Sequence, residues 1–121
     1  MSKLEIKLKR AYEAPAKNDG RRILIDRVWP RGIKKEELRL DGWKKELAPS
    51  TNLRKWFGHD PERWEEFQKR YRRELDEQPD AIAALLSLCR GGPVTLVFGA
   101  KDTRHNQAVA LRDYLETAAE K

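Results

Sequence analysis

Two short segments concentrate side chains able to hold an anion or move a proton. The first is Asp26-Arg27-Val28-Trp29-Pro30-Arg31-Gly32. Two guanidiniums bracket a stiff apolar triplet, Pro30 fixes the backbone and Gly32 lets it turn. Arginine forks match carboxylates and phosphates through paired hydrogen bonds, so a dry pocket holding both would favour an anion. The second is Gly99-Ala100-Lys101-Asp102-Thr103-Arg104-His105-Asn106, where a lysine, a capping residue and free amides converge at a helix start, an arrangement suited to anion capture. In a pocket built from both, Asp26, Asp102 and His105 are candidates to transfer protons and Lys101 to steady developing negative charge. Arg27, Trp29, Arg31 and Asn106 are candidates to bind the ligand. The plainer reading is structural: Asp26 paired with Arg27, Arg31 or Lys101, and Asp102 capping the next helix.

Either reading needs strands that end side by side. Leu4, Ile6 and Leu8 alternate with Glu5 and Lys7, the two-residue period of a strand with one face in water, which suits an edge. After the turn-forming Lys17-Asn18-Asp19-Gly20, the apolar Ile23-Leu24-Ile25 predicts a central strand within 22–27. Residues 94–98, apolar except for Thr95, read as a buried parallel strand. A weaker pattern suggests another strand over 43–47. Ser50 should cap a short helix ending at Gly58, and Asp60 with Pro61 should open a longer one whose Trp64, Phe67, Tyr71 and Leu75 form one apolar stripe. Asp80 should cap a helix that turns Ile82, Leu85, Leu86 and Cys89 inward and stops at Gly91. Asp102 or Thr103 should cap the last, running to Ala119 with Ala108, Val109, Leu111 and Leu115 inward. Strands separated by helices predict one three-layer α/β domain over 1–121, its small and mainly parallel sheet flanked by helices. Ligands of such sheets collect at the carboxyl ends of the strands.

Composition narrows the function classes. Charged residues make up 38% of the 121 and hydrophobic ones 39%, too much of both for a disordered or membrane-embedded chain. No run approaches the roughly 18 apolar residues of a membrane span, and the charged, alternating start lacks the apolar run of a signal peptide. The expectation is a cytoplasmic protein. Cys89 is the only cysteine and there are two histidines, without zinc-site spacing, so neither metal nor cofactor is expected. The signatures GxGxxG, GxxxxGK[ST] and GxSxG are absent too, which removes the commonest tenants of an α/β sheet.

The formal charge is +6, and residues 1–35 carry 11 basic against 4 acidic side chains. A basic nucleic-acid-binding accessory protein is therefore the alternative to an enzyme or binding domain for a small anionic ligand. No RNA-binding or helix-turn-helix pattern accompanies that charge. A third option is assembly through the amphipathic 64–75 helix; a monomer or a homodimer is expected.

DRVWPRG at 26–32, WKKELAPS at 43–50, WFGHDPERWEEF at 56–67 and AKDTRHNQA at 100–108 closely resemble the YeaO-like family, a branch of a domain family of unknown function. The resemblance runs from end to end and implies a compact α/β domain whose blocks share one surface. It adds Trp43, Glu46, Ser50, Trp56, His59 and Asp60 as expected neighbours of the pocket. The wider family often carries a cysteine with histidine and arginine near the last block. Here Lys101, Asp102, His105 and Asn106 stand there instead, so the resemblance implies acid–base or pure binding chemistry rather than a thiol mechanism.

Overall fold

A computed structural model describes residues 4–120. Four parallel strands, β1 (Ile6–Arg10), β2 (Arg21–Leu24), β3 (Gly42–Trp43) and β4 (Val94–Phe98), form one sheet in the order β1-β4-β2-β3. The helices are α1 (Lys35–Leu38), α2 (Thr51–Phe57), α3 (Trp64–Asp76), α4 (Pro79–Arg90) and α5 (Gln107–Ala119). The result is a single α/β domain with helices on both faces of a small parallel sheet, as the pattern of elements predicts.

The strands alternate between two cores. Ile23, Ile25, Val94, Leu96 and Phe98 meet Leu53, Phe57, Phe67, Tyr71, Leu85 and Leu111 from α2 to α5. Leu24 and Val97 face the other way, onto Ala11, Leu38, Trp29 and Trp43. The apolar stripe of α3 is thus consumed inside its own domain: Phe67, Tyr71 and Leu75 are buried, which leaves no apolar face there for assembly. Cys89 is buried in the same core, where burial pushes its thiol up to about 11. It is a packing residue.

The opposite face carries a polar row. Lys7 pairs in register with Thr95, and Thr95 with Arg22, so all three point to one side. The turn Lys17–Asp19 covers them. Lys7 Nζ donates to the Asn18 carbonyl, Thr95 Oγ1 to the Asp19 carbonyl at 2.7 Å, and Lys9 and Arg22 to the Asp19 carboxylate at 2.9 and 2.6 Å. Gly20 closes this turn with φ of 66°, and a Cβ there would lie 2.1 Å from the Pro93 carbonyl oxygen. No other residue fits without moving the backbone.

Several local expectations need correction. The strand expected over 43–47 is only Gly42–Trp43, followed by a 3₁₀ turn, Lys45–Leu47. In a strand, residues four apart share a face, yet Trp43 packs on one side of the sheet and Leu47 joins the core on the other. The turn carries the chain around the sheet edge between them. Asp80 does not cap α4: Pro79 takes a first-turn position and Gln78 precedes it. The cap of α5 is Asn106, whose side chain accepts from Ala108 and Val109 N–H groups, and Ala110 rather than Val109 is buried. Asp102 instead closes a turn of its own, accepting from the Arg104 and His105 amides at 2.8 and 3.0 Å. The expected cap at Ser50 is in place, accepting from Leu53 N–H, whereas Asp60 accepts from Glu62 N–H and caps a 3₁₀ turn, Pro61–Arg63, that leads into α3.

Candidate functional site

The order β1-β4-β2-β3 decides where a site can form. Chain leaving β2 passes to α1 on one face of the sheet, and chain leaving β4 passes to α5 on the other. The exits of these neighbours diverge and open a crevice at the carboxyl ends, where open α/β sheets bind ligands. A cleft of about 260 Å³ lies there, between Asp26, Arg27, Val28, Trp29, Pro30 and Arg31 after β2, Gly99, Ala100, His105, Asn106 and Gln107 after β4, and Ala48, Pro49, Arg54, Phe57, His59 and Phe67 from the α2–α3 side.

Asp26 ties the two exits together. Its Oδ2 accepts from Gly99 N–H at 2.8 Å, its Oδ1 from the Gln107 side-chain amide, and its carbonyl from Trp43 Nε1 at 2.7 Å. A Cβ on Gly99 would sit 2.8 Å from Oδ2, so any larger residue there would displace the carboxylate. Burial pushes the carboxyl up to about 6, against the opposing pull of the Gly99 amide, Gln107 and, at longer range, Arg54. Asp26 pairs with neither Arg27, Arg31 nor Lys101. Its hydrogen-bond partners are neutral.

The cations therefore keep their charge. Among the described residues no ion pair involves Arg27, Arg31 or Arg54. Arg27 is anchored by carbonyls, Nε to Pro49 at 3.1 Å and Nη2 to Ala48 at 3.2 Å, which fixes its position without cancelling its charge. Across the cleft, His105 Nδ1 lies 2.9 Å from Asp102 Oδ2, and the ring meets Trp64 edge-on at 5.4 Å. Nδ1 is thus committed to Asp102, while the ring forms part of the cleft wall. The Asp102 carboxyl is held below its ordinary range by the Arg104 amide first and by His105 second, so a carboxylate orients the imidazole.

The other sequence candidates divide between this cleft and other parts of the surface, and several expected as its neighbours do not line it. Trp29 lines the cleft with its indole N–H spent on the Ile33 carbonyl, and stacks edge-on against Trp43 at 5.5 Å. Trp43 supports Asp26 from behind. Asn106 is 1% exposed, and its amide caps α5 while donating to the Asp102 carbonyl. His59 follows Gly58 in a left-handed conformation, φ of 59°, and forms the ridge between this cleft and an adjoining hollow. Lys101 is exposed and lines only that second hollow, with Gly99, Ala100 and Asp102. Ser50 bonds Glu74 at 2.5 Å beside a third hollow, which Glu46 also lines. Trp56 lies under the guanidiniums of Arg70 and Arg63 at 4.1 and 5.3 Å, and Asp60 caps its turn; neither lines the cleft.

Arg54 and Gln107 escaped the sequence reading. Only the packing of α2 and α5 against the strand ends brings them in. Gln107 directly follows the 99–106 segment and lies within the AKDTRHNQA block at 100–108, which was the one available signal. Among the described residues no three histidine, cysteine, aspartate or glutamate side chains gather as a metal site, and no helix is long and apolar enough to cross a membrane.

Comparison with known proteins adds the following. Residues 5–121 match the family described as "Inactive DUF488-N3 subclade". The chain is similar to the uncharacterized protein YeaO of Escherichia coli, 41% identical over 114 residues that cover 94% of this chain and 99% of the relative. Uncharacterized proteins of Mycobacterium tuberculosis and Mycobacterium bovis are each 39% identical over 110 residues, covering 91% of this chain and 92% of theirs. No solved structure matches.

Proposed function

The chain belongs to the inactive DUF488-N3 subclade, and from that premise we propose that it is a binding domain that holds a small phosphate- or carboxylate-bearing ligand in the strand-end cleft without turning it over. One observation carries the reading: among the described residues, Arg27, Arg31 and Arg54 line a single cleft with no carboxylate paired to any of them, while the aspartate beside them is engaged by neutral donors. Three guanidiniums of one sign around a partly enclosed hollow focus a positive field that draws a small anion. His105, held in place by Asp102, adds its ring to the cleft wall, and Asp26 holds the two walls at fixed separation. The word "inactive" in the family description supports retention over catalysis, and Asp26, Asp102 and His105 are then positioning and binding groups. Lys101, in the neighbouring hollow, would attract the ligand from outside rather than touch it.

This reading makes a pH prediction. Burial raises the Asp26 carboxyl to about 6, so above that pH the cleft contains a carboxylate that opposes an incoming anion, and below it the group is neutral. Sulfate keeps its charge across this range and isolates the protein's contribution. Its affinity, followed by calorimetry at low ionic strength, is expected to rise about tenfold between pH 8 and pH 5. Asp26→Asn should flatten part of that rise by strengthening binding at pH 8. The Asn oxygen can still accept from Gly99, and Gln107 can turn its amide to match. Sulfate and phosphate that fail to bind at either pH would dismiss the anion site.

A further inference from the structure

The cleft is too small for its own mouth. At about 260 Å³ it falls below the roughly 300–1,000 Å³ of sites that enclose a drug-sized ligand, so anything larger than a phosphorylated sugar must extend over the rim. The rim has a definite chemistry there. Tyr12 and Val28 are the two large apolar side chains left exposed among the described residues, at 49% and 56%, and both belong to segments that leave the strand ends.

Tyr12 is not a loose side chain. Its hydroxyl donates to the Arg31 carbonyl at 3.1 Å, which ties it to the loop after β2. The Arg10 guanidinium lies over its ring, 5.0 Å from the centroid, and the same arginine donates through Nε to the Ala100 carbonyl at 2.9 Å. Arg31 and Ala100 both line the cleft. The ring is thus braced from the two exits that form the pocket, with a cation against it and much of its surface in water. An exposed aromatic held rigid beside guanidiniums is a stacking platform for a flat heteroaromatic ring, because its contact area is offered at little further entropy cost.

We propose that the ligand is a nucleotide: a phosphate held between Arg27, Arg31 and Arg54, a sugar filling the cleft, and a base laid on Tyr12 against Val28. This rests on the anion reading above and goes beyond it by naming what the other end of the ligand is. The shared chemistry is a 5′-phosphorylated nucleoside, which a free mononucleotide and the 5′ end of a strand both present.

Four probes separate the possibilities by calorimetry on the full chain: inorganic phosphate, ribose 5-phosphate, a nucleoside 5′-monophosphate, and a short 5′-phosphorylated oligonucleotide. The nucleotide is expected to bind at least about tenfold tighter than ribose 5-phosphate, the lower part of what base stacking on one aromatic supplies. Tyr12→Ala should bring the nucleotide down to the ribose phosphate value, while Tyr12→Phe, which keeps the ring, should retain most of the gain. An oligonucleotide tighter than the mononucleotide identifies a strand end as the source; equal affinity identifies the free nucleotide. If ribose 5-phosphate and the nucleotide bind equally, the platform is wrong and the anion cleft stands. If none of the four binds, both fall.

Discussion

Asp19→Asn is expected to lower the stability of the domain by about 3–5 kcal/mol, the cost of removing one partner from a buried ion pair, and Tm by roughly 12–20 °C. Asp19 is 3% exposed and Arg22 4% exposed. Three groups converge on this one carboxylate: the Lys9 ammonium, the Arg22 guanidinium and the Ala16 amide. Its carbonyl also accepts the hydroxyl of Thr95, in the middle of the sheet. Losing the charge strands Arg22, whose Nη2 already lacks a partner and whose Nε keeps only the Leu38 carbonyl, in a buried setting with no paired carboxylate to offset it. Chemical denaturation measures the loss. Adding Arg22→Met to Asp19→Asn should recover at least about 1 kcal/mol, because the orphaned charge is removed with its partner. A double variant no more stable than the single would show that Asp19 acts only through the turn it closes.

The same group sets the acid limit. Burial pushes the Asp19 carboxyl up, but the Lys9, Ala16 and Arg22 donors together outweigh it and bring it from 3.8 to about 2. A depressed carboxyl stabilises the fold above its unfolded value and loses that contribution as pH falls toward its folded one. The stabilisation is therefore complete above about pH 4 and drains away toward pH 2 in the native protein, and this acid-sensitive step is missing from Asp19→Asn.

Replacing both Arg31 and Arg54 by alanine should weaken sulfate or phosphate binding by about 100-fold or more. Hydrogen bonds to charged groups contribute about 1.5–3 kcal/mol each, or roughly 10–100-fold per arginine, and two arginines on one small anion share its charge, so the combined loss need not be the full product. Both side chains are exposed and neither is ion-paired among the described residues, so Tm should move by no more than about 2 °C. Arg27→Ala makes the useful contrast. It removes a cleft cation and also leaves the carbonyls of Ala48 and Pro49, both buried residues, without their donor, so affinity and stability should fall together, the latter by about 1–3 kcal/mol. Unchanged anion affinity in the Arg31 and Arg54 double variant would remove the arginines from the site.

Signals confined to a few neighbouring residues were legible in the sequence. The buried strand Val94–Phe98 and the Ser50 and Gly58 ends of α2 follow from local apolar runs and caps. Where two residues compete for one role, geometry decides: Pro79 and Asn106 displace Asp80 and Asp102 as helix starts because the helices begin elsewhere by one turn or less. Lys7 and Lys9 alternate like a solvated strand face, yet both hold the Lys17–Asp19 turn, a contact made by chain some ten residues away. The cleft was legible as two basic exits because Arg27 and Arg31 flank a rigid triplet beside a strand. Its closure by Asp26 onto Gly99 and Gln107, its third arginine and the separation of Lys101 into another hollow depend on β4 inserting between β1 and β2. No spacing within either segment encodes that order.

The most direct test of the anion cleft is a crystal structure of the protein purified without phosphate or sulfate and then soaked in phosphate. The account predicts tetrahedral difference density between Arg27, Arg31 and Arg54, within hydrogen-bond reach of their guanidiniums and beside the ring of His105. Phosphate bound only at surface lysines, with the three arginines turned to solvent and the crevice filled by water alone, would contradict it.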